Sequence, residues 1–274
     1  MRLLMAATAL FVTTALSAQD FYFNPVVGYG INAPGEVNTT GDTGSTSIDN
    51  LNLGGGVNVG VSGGFLFDDI FGIEARLNYQ NNFGYQTVRS TTIQDPSSGQ
   101  QIPIEQISTF NASSIRLAPL LFFRMDEDVS PYAKVGPILQ YSMLSVVDES
   151  PTVIVNNNTP AVGTLESETQ LNNGISLGAL GEAGMMFELD NDIFLNAGIA
   201  FSAIQVSPNS SEIVRYEENG QDQLDDLNTS EKETEFVETI NNTSSNDPDQ
   251  PSQQLKNWLN YSSFSLRVGV IMIL

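Results

Sequence analysis

The stretch Phe71-Gly72-Ile73-Glu74-Ala75-Arg76-Leu77-Asn78-Tyr79 alternates without a fault. Phe71, Ile73, Ala75, Leu77 and Tyr79 are apolar, and Gly72, Glu74, Arg76 and Asn78 fall between them. A strand turns successive side chains to opposite faces, so one face of this segment is greasy and the other small or charged. Segment 53–67 repeats the pattern, with Leu53, Val57, Val59, Val61, Phe65 and Phe67 on the greasy face and Asn52, Gly54, Gly56, Asn58, Gly60, Ser62 and Gly64 on the other. The same period of two runs through 23–31, 113–123, 132–143, 175–187, 193–203 and 260–274. These eight segments are each near the roughly 9–11 residues that a tilted strand needs to cross hydrocarbon.

A soluble sandwich would hide the greasy face between two sheets, and alternation by itself does not exclude that. The connections do. Residues 68–70, 124–131 and 188–192 make short links, whereas 32–51, 80–112, 144–174 and 204–259 are long and polar. Strict short–long alternation is the habit of a membrane barrel, with tight turns at one rim and long loops at the other. Aromatic placement agrees. With both termini on the short-turn side, Phe23, Phe65, Phe67, Phe71, Phe123 and Phe187 collect at one rim, and Tyr29, Tyr79, Tyr141, Phe201 and Tyr261 at the other. Paired aromatic belts suit the two headgroup layers of a bilayer. No run of about 20 apolar residues is present downstream, so no spanning helix is expected. The fold expected is all-β: an eight-stranded antiparallel up-and-down transmembrane β-barrel with short periplasmic turns and long extracellular loops.

Residues 1–18 read as a secretory signal peptide: Arg2, then the apolar run Leu3 to Leu16, then the small residues Ala15, Ser17 and Ala18. The barrel domain then occupies 19–274, and its product is expected to be exported to the outer membrane. With the signal segment, the alternating strands and the apolar last strand, the chain resembles the small outer-membrane β-barrel proteins of Gram-negative bacteria, the OmpA-, OmpX- and OmpW-like porin family. Members of that family usually end on an aromatic residue, where this chain has Ile273-Leu274. The resemblance implies insertion machinery of the outer membrane, lipid and lipopolysaccharide as partners.

Composition narrows the function. Lys and Arg total 10 against 32 Asp and Glu, giving a formal charge of −22, and histidine and cysteine are both absent. Phosphate backbones need Lys and Arg, so nucleic acid is not an expected partner. Without histidine there is no Ser-His-Asp triad, and without cysteine no thiolate site. No catalytic residue, cofactor or metal site is expected, and the protein is read as a non-enzyme and a monomer.

An eight-stranded bore is just wide enough to be filled by side chains. Parity sends Glu74, Arg76, Arg116, Lys134, Gln140, Glu182 and Arg267 into it. Buried charges must pair; the pairs expected are Glu74 with Arg76, Glu182 with Lys134, and Arg116 with Glu74. The leading reading is a plug of ion pairs; the second is a narrow wet passage for small polar solutes with mild anion preference, or sideways passage of apolar molecules. Specificity is expected in the loops. The fourth, about 206–258, has many acids against only Arg215, Lys232 and Lys256, a composition typical of weak order. Within it Ile213–Tyr216 and Glu235–Val237 are expected to pair as a hairpin. Gln86 to Ile93 and Ile102 to Ser108, around a turn at 95–99, and Thr152–Val155 with Thr164–Glu168 should extend their strands as flaps. Acidic pairs such as Glu217-Glu218 and Asp225-Asp226 offer oxygen ligands through which divalent cations would bridge to lipopolysaccharide.

Overall fold

The computed structural model describes residues 20–33, 38–42, 45–49, 52–68, 70–82, 84–94, 101–125, 129–156, 159–240 and 247–274. The signal segment 1–18 and the turn at 95–99 lie outside the described residues. Eight strands form a ring: β1 (Asp20–Asn32), β2 (Gly56–Leu66), β3 (Phe71–Asn81), β4 (Gln101–Arg124), β5 (Val129–Asn156), β6 (Thr159–Asp190), β7 (Ile193–Val206) and β8 (Ser263–Ile273). Each pairs antiparallel with the next, and β8 returns to β1 with Val268 opposite Val27. Closure satisfies the backbone of every strand on both sides, which a membrane interior demands.

Along β3 burial alternates residue by residue, Glu74, Arg76 and Asn78 inside and Ile73, Leu77 and Tyr79 outside. The outer wall is an apolar surface that includes Val27, Val61, Leu117, Leu139 and Val268, all exposed. At the short-turn end Phe71 stacks toward Phe67 and Phe123, with ring centroids 5.5 and 5.3 Å apart. Phe21 packs on Phe65 at 5.4 Å, and Phe23 and Phe187 are exposed on the same face. Toward the other end Tyr29, Tyr79 and Tyr141 are exposed on the outer wall, and Phe201 meets Phe264 at 4.7 Å.

Two residues assigned to the outer wall turn inward. Tyr261 is 1% exposed and belongs to an apolar cluster inside the loop end of the barrel with Leu53, Ile138, Leu144, Ile204 and Val206. Its odd parity is that of Ser263, Ser265 and Arg267, all inward, so the last strand itself excluded it from the belt. Leu53, 2% exposed, precedes Gly56, whose φ of +112° suits glycine and breaks the alternation at the first residue of β2.

The long connections are also more regular than their polarity implied. β4, β5 and β6 run for 24, 28 and 32 residues, far past the apolar wall. Tyr85–Gln94 pairs with β4 over Gln101 to Phe110, and β5 and β6 stay paired to Asn156 opposite Thr159, so both flaps form. In the second, Thr164 to Glu168 face Val147 to Pro151, while Thr152 and Val153 face Gly163 and Val162. The fourth loop departs most from expectation. Ile213 to Glu218 pair with β6 from Thr169 to Leu165, not with 235–237, and Ser210 to Glu212 pair with Glu235 to Glu233. Order comes from specific partners. Arg215 holds Glu166 at 2.5 Å and Glu168 and Glu217 at 3.8 Å, and Asn228 with Glu231 makes a capping box for the helical turn Thr229–Lys232.

Candidate functional site

The charged set assembles inside the barrel, and all six of its members are at most 4% exposed. Arg76 on β3 is its centre. It bonds Glu74 on the same strand, Nη2 to Oε1 at 2.7 Å, and reaches Glu182 on β6, Nη1 to Oε2 at 2.5 Å. Strands β3 and β6 stand three apart in an eight-strand ring, so that bond crosses the bore. Lys134 on β5 donates to Glu74 Oε2 at 2.6 Å, and Arg267 on β8 to Glu182 Oε2 at 3.2 Å. Each carboxylate also takes a phenol: Tyr22 donates to Glu74 Oε2 at 2.9 Å and Tyr132 to Glu182 Oε1 at 3.0 Å. Two acids, three bases and two tyrosines from five strands thus form one bonded group, and Lys134 also stands 4.7 Å over the Phe122 ring.

Two expected pairings are not the ones made. Lys134 is the register partner of Glu182 across β5 and β6, yet its amine goes to Glu74. Inward side chains converge on the axis, and Arg76, Arg267 and Tyr132 already occupy Glu182. Arg116 does not meet Glu74. Its Nε donates to Gln140 Oε1 at 2.6 Å and its Nη2 to the Tyr261 carbonyl at 3.3 Å, and among the described residues no carboxylate pairs with it. The bore therefore holds Glu74 and Glu182 against Arg76, Arg116, Lys134 and Arg267.

Tyr22 and Tyr132 escaped the sequence reading, although parity marked them. Tyr22 sits between the outward Phe21 and Phe23, and Tyr132 just before the outward Ala133. Room for them comes from glycines: a Cβ on Gly64 of the adjacent β2 would lie 2.5 Å from the Tyr22 ring, and one on Gly198 of β7, two strands from β5, would lie 2.5 Å from the Tyr132 hydroxyl. Around this group the side-chain amides of Asn24 and Asn58 are buried with no bonding partner, as is one amide oxygen each of Asn78 and Asn196. Among the described residues no group of three or more acidic side chains is arranged to hold a metal ion, and the acidic pairs of the fourth loop stay separate.

A closed ring with an apolar outer wall and a charged bore is the construction of a membrane barrel, and residues 3–231 match the family described as outer membrane protein beta-barrel domain. The chain belongs to that family. Among solved structures, this outer-membrane barrel is similar to OprG from Pseudomonas aeruginosa, at 11% identity and a TM-score of 0.46, over 94% of this chain and 96% of that one. It is also similar to Neisserial surface protein A, at 11% identity and a TM-score of 0.42, over 94% and 100% of the two chains. Outer membrane protein W of E. coli aligns over the same shares at 12% identity, with a TM-score of 0.39. No curated protein sequence matches the chain.

For an outer-membrane barrel the wall makes a direct prediction. Leu117 lies mid-wall, opposite Leu77 and Leu139. Leu117→Arg is expected to cost about 2–4 kcal/mol in urea unfolding from lipid bilayers. An unchanged midpoint would mean that this face does not meet hydrocarbon.

Proposed function

We propose that this protein is a non-enzymatic barrel of the outer membrane, its lumen closed by side chains, whose work is done by the strands that rise beyond the loop end. In this reading the termini and short turns face the periplasm and the extended β4–β6 sheet faces outward, serving envelope integrity, adhesion or ligand contact. The observation that carries it is the Arg76–Glu182 bond across the bore, braced by Lys134, Arg267 and two tyrosines. A bonded network of charges that spans a lumen fills it and resists displacement. The absence of histidine and cysteine from the composition supports the non-enzymatic reading. Lipopolysaccharide, approached through divalent cations on the acidic loops, is the proposed contact in the membrane, with the barrel insertion machinery acting before it and the monomer as the working form.

A second reading, slow passage of small polar solutes, is favoured by one observation. The unpartnered amides of Asn24 and Asn58 and the unpartnered amide oxygens of Asn78 and Asn196 are groups that water would satisfy, and the excess of cations gives such a path anion preference. Single-channel recording of the refolded protein in planar bilayers separates the two. The expected result is silence from a barrel that shifts on a gel with heating. Discrete steps that change when Arg116→Gln is introduced would replace the plug with the passage.

A further inference from the structure

Just beyond the aromatic residues of the loop end, the outer wall becomes concave. At Tyr141 and Met143 the β5–β6 register shifts, Ile175 facing Tyr141 but Asn172 facing Met143. Such an irregularity bends a strand pair. Beyond it β6 changes neighbour: up to Gly178 it pairs with β7, and from Asn173 onward with the strand Pro208–Glu218. The sheet leaves the cylinder at that point. Its outward face encloses a cavity of about 950 Å³ that runs from Asn81 and Asn111 across Ser145 and Gln170 to Ser211.

We propose that this groove binds the uncharged sugar headgroup of a glycolipid lying in the surrounding leaflet. Three features select that class. The lining is rich in side-chain amides and hydroxyls, Asn81, Asn111, Gln170, Asn172, Ser145 and Ser211 among them, groups that both donate and accept and so suit a polyol. Its charged members are acids, Glu168 and Glu212, loosely paired with Arg215 at 3.8 Å and Lys232 at 3.6 Å. The lining itself offers no cation to receive a phosphate headgroup, whereas an uncharged sugar needs none. The lower lip is made of Tyr79, Tyr141 and Met143, each more than 40% exposed on the apolar wall. The groove therefore continues directly into the lipid-facing surface, and a ligand with an acyl tail on the wall and a sugar in the cleft fits both parts. The size lies at the upper end of ordinary ligand sites.

The inference rests on the membrane placement proposed above, so insertion is checked separately by heat-dependent migration and by protection of the wall from protease in vesicles. Barrels refolded into phosphatidylcholine vesicles with or without monogalactosyl diacylglycerol would be compared by native mass spectrometry and by hydrogen exchange over 111–113, 143–145 and 170–172. Expected are one retained galactolipid per barrel and slower exchange in those three segments. Asn111→Leu and Gln170→Leu, each first checked for heat-dependent migration on the gel, should weaken retention at least tenfold. Equal protection by phosphatidylglycerol would overturn the assignment to an uncharged sugar, and binding of free galactose as strong as that of the lipid would overturn the membrane source. Retention unchanged in both variants, or no preference over phosphatidylcholine in a correctly inserted barrel, would overturn the site.

Discussion

Glu182→Ala is expected to lower the stability of the folded barrel by about 3–5 kcal/mol, the cost of leaving buried charge without its partner. Glu182 accepts from Arg76, Arg267 and Tyr132, and among the described residues it is the only carboxylate that meets Arg267. Arg76 retains Glu74, so the worst-placed group in the variant is Arg267, whose Nε already lacks a partner. Adding Arg267→Met should then recover part of the loss, because it removes the orphaned charge, and the recovery distinguishes an electrostatic fault from a packing fault. Urea-unfolding midpoints in bilayers measure both. A loss below about 1 kcal/mol would place these charges in the range of hydrated surface pairs and would argue for a wet bore.

Gly64→Leu is expected to be nearly as damaging without touching a charged residue. Any side chain at Gly64 enters the space of the Tyr22 ring and meets the Ile73 carbonyl of the adjacent strand. Overpacking of this kind costs about 1–3 kcal/mol. Displacing Tyr22 also puts its 2.9 Å bond to Glu74 at stake, worth about 1.5–3 kcal/mol for a hydrogen bond to a charged group. Tyr22→Phe removes the hydroxyl alone and should give only the hydrogen-bond share of that loss. If Gly64→Leu costs no more than Tyr22→Phe, the close approach of ring and strand is not what the glycine provides.

How much of this was legible can be judged residue by residue. The inward set needed only parity, because a period of two has no phase drift: once Leu77 is outside, Arg76 is inside, and the same holds from Arg116 to Arg267. Tyr261 obeys that parity, which puts it inside, whereas membership of the aromatic belt would put it outside. The β5–β6 flap was legible because Val153 and Val155 keep strand character, and the fourth loop was not, because its order depends on Arg215 meeting carboxylates from β6 and from its own strand. Composition averages over such contacts.

The sequence by itself determined the strand count, which face of each strand meets lipid, and the sign and number of charges inside, since all of these follow from local alternation and chain order. Only the tertiary structure decided who pairs with whom. Lys134 is opposite Glu182 along the sheet, but inside a closed barrel every inward side chain points at the axis, and its amine reaches across to Glu74 on β3. The groove had the same origin: Asn81, Gln170 and Ser211 are far apart in the chain and meet only because the sheet bends away from the cylinder at Tyr141. Alternation fixes directions along a strand; distances across a bore or around a bend depend on closure, tilt and register, which no single segment contains.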